Sequence, residues 1–162
     1  MRHILSVTVE NEPGVLSRVA GLFSGRGFNI ESLNVGPTLD PGVSHMTITT
    51  DGDELIIEQI IKQLRKLVTV IKVVDLTTLK AVQREMVLIK VSAEDSKRAE
   101  ILRIVDIFRC KVVDVSVDEL TIEVTGDQDK ISALISLLTR FGIKETARSG
   151  TVSLRRAMQL SS

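Results

Sequence analysis

No tryptophan and no tyrosine occur among the 162 residues, and four phenylalanines make up the whole aromatic share of 2%. Modules that stack nucleic-acid bases need aromatic side chains on a shared surface. Phe23, Phe28, Phe108 and Phe141 do not fall as a pair on one strand, so no nucleic-acid partner is expected. Cys110 is the only cysteine; it cannot form an intrachain disulfide, and its apolar neighbours predict a buried structural thiol. His3 and His45 are too few for a metal cluster and have no cysteine partners at ligand spacing. Charge of one sign is lacking as well: Lys+Arg and Asp+Glu both number 21, which points to no polyanionic partner. No apolar run approaches the ~18 residues that span a membrane. The start, Met1 to Ser6, alternates like a strand and carries no signal-peptide core. A cytoplasmic protein with no membrane partner, or the mature form of an imported one, is expected. No Ser/His/Asp or Cys/His set gathers around a shared pocket, so neither catalytic nor metal-binding residues are expected.

What is present is 43% hydrophobic and 26% charged, the composition of a globular chain. Apolar periodicity predicts a strand over Ile4–Val9, a helix over Val15–Ser24 and strands over Phe28–Val35 and Ser44–Thr50. A helix follows with Ile57, Ile60, Ile61, Leu64, Leu67 and Val68 on one face, and then a strand over Val70–Leu76. Thr77–Arg84 has no strong period and reads as a linker. The order βαββαβ then repeats: strand Met86–Ala93, helix Ser96–Phe108, a hairpin over Lys111–Val124, a helix carrying Ile131, Leu134, Ile135 and Leu138, and strand Ile143–Ala147. In the hairpin Val113, Val115 and Val117 are assigned to one face. The polar, basic tail from Arg148 to Ser162 belongs to the second repeat. The fold class is therefore α+β: two tandem ferredoxin-like βαββαβ domains, each an antiparallel sheet with helices on one face. The domains are residues 1–77, a linker 78–84, and residues 85–162. A fragment ending near Gln83 is expected to keep the first unit complete. Small units with open sheet edges gain stability by pairing those edges.

The first strand-to-helix junction, Asn11-Glu12-Pro13-Gly14-Val15-Leu16, carries the only candidate site. Pro13 suits a turn entering a helix, and Gly14 lets a ligand come close. The first N–H groups of the helix have no intrahelical partner and attract an anion such as a small carboxylate. The same six residues also make an ordinary strand–helix turn. The matching junction of the second unit, Ser92-Ala93-Glu94-Asp95-Ser96, lacks Pro and Gly and carries acids that repel a carboxylate. Gly21, Gly25 and Gly27 lie in and after a helix with no Gly-Lys-Ser/Thr behind them, so they are helix packing and cap rather than a phosphate loop. Asn29, at the start of the second strand, has an amide that can donate to a carboxylate or accept from an ammonium; a turn residue after Gly27 would also be asparagine.

Asn11-Glu12-Pro13-Gly14-Val15-Leu16, followed by Gly25-Arg26-Gly27-Phe28-Asn29-Ile30-Glu31-Ser32-Leu33, closely resembles the amino-terminal ACT domain of acetohydroxyacid synthase (acetolactate synthase) small subunits. The likeness continues through Met46-Thr47-Ile48 and Ala147-Arg148-Ser149-Gly150 and covers essentially the whole chain. It implies a regulatory subunit without catalytic residues, which binds the large catalytic subunit, raises its activity and confers feedback inhibition by valine or a related branched-chain amino acid. It implies a homodimer through the ACT domains, with the effector held at Asn11, Gly14, Val15, Leu16, Asn29 and Ile30. It places thiamine diphosphate, Mg²⁺ and FAD in the catalytic subunit and no cofactor in this chain. The residue chemistry agrees: a helix start for the carboxylate, two asparagines for the ammonium, and Val15, Leu16 and Ile30 as an apolar wall. A free-standing amino-acid sensor acting on another enzyme is the alternative. Which branched-chain amino acid fits best is not legible, since one methylene is worth only about 1–3 kcal/mol in such a pocket.

Overall fold

The computed structural model describes residues 1–157; residues 158–162 of the tail lie outside the described residues. The described residues pack as two compact units, one made of Met1–Val82 with residues 150–157, the other of Gln83–Ser149. This differs from the sequence-based division in two ways. The tail from Gly150 leaves the second unit, and the expected linker is already a strand from Ala81.

In the first unit β1 (Arg2–Glu10), α1 (Val15–Gly25), β2 (Ile30–Pro37), β3 (Val43–Asp51), α2 (Glu54–Arg65) and β4 (Val70–Asp75) follow in the expected order. The four strands form an antiparallel sheet in the order β2-β3-β1-β4, leaving β2 and β4 as its edges. Alternation puts Leu5, Val7 and Val9 on the face that meets Val15, Val19 and Phe23 of α1 and Ile57, Ile60 and Leu64 of α2, and these make one core. α2 starts where Asp53 Oδ1 accepts the Ile56 N–H at 2.9 Å, as its turn sequence leads one to expect. It ends at Arg65, before the apolar stripe does. Val68, assigned to the buried face, is 94% exposed because the helical period stops short of it.

The second unit repeats the plan with β5 (Ala81–Ser92), α3 (Asp95–Ile107), β6 (Lys111–Val115), β7 (Glu119–Gly126), α4 (Gln128–Thr139) and β8 (Ile143–Arg148), in sheet order β6-β7-β5-β8. Its core gathers Val87, Ile89 and Val91 with Ile101, Val105, Ile131 and Leu134. A register shift between Val112 and Asp114 breaks the alternation assumed for β6. Val113, Val115 and Val117 are exposed, and it is Val112 of this stretch that packs against the core. Cys110 is half-buried beside this core, and burial pushes its thiol pKa up.

The two units end their first helices in the same way. The N–H of Phe28 donates to Phe23 O, and that of Cys110 to Val105 O, each at 2.9 Å across five residues. This closure needs a left-handed residue just before the donor. In α1 that residue is Gly27, with φ +71°; in α3 it is Arg109, with φ +54°. An L residue with a Cβ costs about 1–2 kcal/mol in that region. Arg109→Gly is therefore expected to stabilise the second unit by about 1 kcal/mol, read as a raised denaturation midpoint; a lowered midpoint would show that the arginine side chain contributes more than the strain costs.

After β8 the chain continues as β9 (Val152–Arg155), which pairs with β5 and is grouped with the first unit, and the Arg156 N–H donates to Lys80 O at 2.8 Å. Thr151 and Ser153 are each 4% exposed. The tail thus carries a structural segment whose alternation, Val-Ser-Leu-Arg, is too short to stand out as a strand.

Candidate functional site

The junction between β1 and α1 is shaped by Gly14. It is the residue before the helix, with φ +86° and ψ −6°, a left-handed geometry that glycine adopts without penalty. A Cβ built on it meets no heavy atom within 4 Å, so the turn faces open space. No side chain caps the helix. The Val15 N–H donates to Glu12 O at 3.4 Å and the Arg18 N–H to Gly14 O at 3.0 Å. Among the described residues no partner occupies the N–H groups of Gly14, Leu16 and Ser17. Three donors at the positive end of a helix, beside open space, form an anion seat.

Asn11 is tied into this turn from the side. Its N–H donates to Gly42 O at 2.9 Å and its Nδ2 to Pro41 O at 3.0 Å, so the loop between β2 and β3 fixes its position. That leaves Oδ1 as the accepting atom of the side chain. The loop is itself rigid: Thr38 Oγ1 donates to Val43 O, and the Gly42 N–H donates to Asp40 Oδ1. Nothing local in the sequence marks Pro41 and Gly42 as partners of Asn11; the pairing of β1 with β3 brings them there. Leu16 is 45% exposed beside the turn and offers an apolar surface. Val15, expected as part of the wall, is 3% exposed and packs into the core of its own unit, which leaves it to anchor the turn.

Asn29 and Ile30 lie elsewhere. Asn29 comes just before β2 rather than within it, because the strand begins at Ile30. Its carbonyl accepts from Thr50 Oγ1 at 2.6 Å, and its side chain is exposed. Ile30 is half-buried against the core. Thr50 pairs with His3 at one end of the sheet, whereas Asn11 follows Glu10, which pairs with Val43 at the other end. The eight steps of strand from Gly42 to Thr50 span roughly 25 Å at about 3.3 Å per residue. One copy of the unit therefore brings Asn11, Gly14 and Leu16 together and holds Asn29 and Ile30 apart from them. The strand joining the two ends, β2, is an edge whose outer backbone groups have no strand partner among the described residues.

The helix-free face of the sheet is polar. His45 Nε2 lies 2.7 Å from Ser6 Oγ, and burial lowers its pKa, favouring the neutral ring. Among the described residues no group of three or more His, Cys, Asp or Glu is placed to hold a metal ion, and no helix is long and apolar enough to cross a membrane.

Two family models match the chain. Residues 5–72 match the AHAS small subunit-like ACT domain, and residues 84–157 match the small subunit of acetolactate synthase. The acetolactate synthase small subunit of Aquifex aeolicus is 56% identical over 160 residues, spanning 98% of this chain and 83% of the relative. The probable acetolactate synthase small subunit of Archaeoglobus fulgidus is 54% identical over 96% of this chain and 98% of its own length. The crystal structure of the acetolactate synthase small subunit from Thermotoga maritima superposes with a TM-score of 0.88 at 45% identity, covering 98% of this chain and 99% of that one. With both units matched along nearly their whole length, the chain belongs to the family of acetolactate synthase small subunits, and its first unit is that family's ACT domain.

Proposed function

We propose that this protein is the regulatory subunit of an acetolactate synthase: it binds the catalytic large subunit, raises its activity and makes it sensitive to feedback inhibition by valine or a related branched-chain amino acid. In this reading the chain itself performs no chemistry. Thiamine diphosphate, Mg²⁺ and FAD work in the catalytic subunit, and both subunits act in the cytoplasm. Membership of a family named as a small subunit supports the existence of a large-subunit partner. The relatives reported above are all named as acetolactate synthase small subunits, which favours this reading over a free-standing sensor.

The observation that carries the effector reading is the split site. The donors at Gly14, Leu16 and Ser17 suit a carboxylate, Asn11 Oδ1 and the Asn29 amide suit an ammonium, and Leu16 and Ile30 suit a small branched side chain. Within one copy these groups stand at opposite ends of the sheet. Antiparallel pairing of edge strand β2 with the same strand of a second copy sets the start of one β2 beside the end of the other. Asn29 and Ile30 of one chain then approach Asn11 and Gly14 of its partner. The pocket accordingly exists only in the homodimer, and valine stabilises that dimer by mass action.

The test uses complementation. Asn11→Ala and Asn29→Ala homodimers should each bind valine at least tenfold more weakly than wild type, since each loses a hydrogen bond to a charged group worth about 1.5–3 kcal/mol at both sites. A heterodimer of the two variants gathers both lesions in one pocket and leaves the other intact, so half of the binding capacity should return at wild-type affinity. Calorimetry on tagged heterodimers reads this directly. A heterodimer that binds no valine while wild type binds it would overturn the shared site. Co-purification with the catalytic subunit, assayed with and without valine, tests the regulatory role itself.

A further inference from the structure

The sheet of the first unit has a second edge, β4, and a groove of about 600 Å³ lies between that strand and α2. His3 is the buried polar residue of its wall. The side chain is 5% exposed, yet among the described residues neither ring nitrogen has a hydrogen-bond partner. Nδ1 stands 3.5 Å from Asp75 Oδ2, and the other oxygen of that carboxylate accepts the Thr77 N–H at 2.9 Å. Buried polar groups are normally paired, so an unpaired imidazole lining a cavity points to a ligand. The charges around it fall into two sets. The amino terminus is paired with Asp51 at 2.7 Å and Lys62 with Glu58 at 3.5 Å. Among the described residues Glu54 and Arg65 have no ion-pair partner. Glu54 opens α2 at the His3 end of the sheet, because β3, which leads into that helix, ends opposite Arg2. Arg65 closes α2 and is held by β4, its Nη2 donating to Val73 O at 3.4 Å. Val73 and Asp75 are two steps apart on β4, roughly 7 Å at about 3.3 Å per residue. Ile57, Ile61 and Val73 give the groove an apolar wall.

We propose that this groove is a further ligand site, complete within a single copy of the first unit, which takes a free amino acid with an apolar side chain. The carboxylate pairs with Arg65, whose planar fork suits it. The ammonium meets Asp75 and Glu54. With the His3 proton on Nδ1, towards Asp75, Nε2 is left to accept from the same ammonium. One α-amino acid, with a contact of about 2.8 Å at each end, bridges the separation of cation and acid. A polycation would set like charge against Arg65, and a phosphate would set like charge against Glu54 and Asp75. The side chain rests on Ile57, Ile61 and Val73, and the volume leaves room for one longer than that of valine. β2 and β4 are opposite edges of the sheet. The groove therefore needs no second copy and does not depend on the effector reading above.

Leucine is the probe. Titrated into the full chain, it should shift the ring resonances of His3 saturably, at the about millimolar affinity of a small ligand in an open groove. Arg65→Gln and Asp75→Asn should each weaken this binding about tenfold. The asparagine keeps an oxygen for the Thr77 N–H, and Lys66→Gln, next to Arg65 but outside the groove, should bind as wild type. Two analogues separate binding from a merely structural effect. Leucinamide, which lacks the carboxylate, should be indifferent to Arg65→Gln, and isocaproate, which lacks the ammonium, should be indifferent to Asp75→Asn. The same titration in Gly14→Asp distinguishes the groove from the β1–α1 turn. A His3 response that persists there supports the groove; one that vanishes there belongs to the turn and overturns it. Leucine that leaves His3 unshifted, or that binds both groove variants as tightly as wild type, would overturn it too. A chain that keeps the His3 response but binds no valine at the turn would refute the effector reading and leave the groove standing.

Discussion

A Gly14→Asp variant is expected to lose valine inhibition while still activating the catalytic subunit. The fold tolerates the change: the position is open, with nothing within 4 Å of an added Cβ, and aspartate is among the few L residues that accept positive φ. The seat does not tolerate it. A second carboxylate about 4 Å from the effector carboxylate costs between about 1 and 4 kcal/mol across the range of surface dielectric, the upper end being several-hundred-fold in affinity. It also takes the N–H groups at the helix start for itself. Gly14→Ala is the control, since it adds the strain of a Cβ at φ +86° without the charge and should weaken binding by about tenfold or less. Inhibition curves of the reconstituted complex, with calorimetry on the isolated chain, measure both. An unchanged inhibition midpoint in Gly14→Asp would remove this turn from the site.

Ending the chain after Ser149 is expected to destabilise the first unit by at least about 3 kcal/mol. The hydrogen bonds lost include Asn34 to Thr151, Arg2 to Thr151 and Arg156 to Lys80, at about 1 kcal/mol each, beside the pairing of β9 with β5. A fragment ending near Gln83 lacks the same segment. It keeps every element of βαββαβ and yet is not the whole unit, contrary to what its sequence leads one to expect. Urea denaturation of the fragment, followed by amide exchange along β2, tests this. Equal protection of Ser32 and Asn34 with and without residues 150–157 would show that the segment contributes nothing.

The sequence by itself determined the elements and their order, because both rest on local chemistry. The stripe Ile57, Ile60, Leu64 buries one side of a helix whatever lies beyond it, and Asp53 caps that helix with its own side chain. The alternation of Leu5, Val7 and Val9 forces one face of a strand inward. The Gly14 turn was legible for the same reason, since a left-handed residue before a helix is a property of a few consecutive positions. Tertiary structure decided what depends on residues far apart in the chain. Val15 reads as a pocket wall or as core with equal ease, and only the packing of α1 on the sheet makes it core. Asn11 finds Pro41 and Gly42 through the pairing of β1 with β3, a contact across thirty residues. Val113, Val115 and Val117 share a face by alternation, but only the packing of β6 decides that Val112 meets the core and these three stay exposed. The tail from Gly150 is the clearest case. Its polar and small residues offer too little apolar surface to announce a strand. Its place is set by a glycine that lies against Ser32 and by an amide bond-partner 117 residues away, so its role came into being only when the chain folded back on its own first unit.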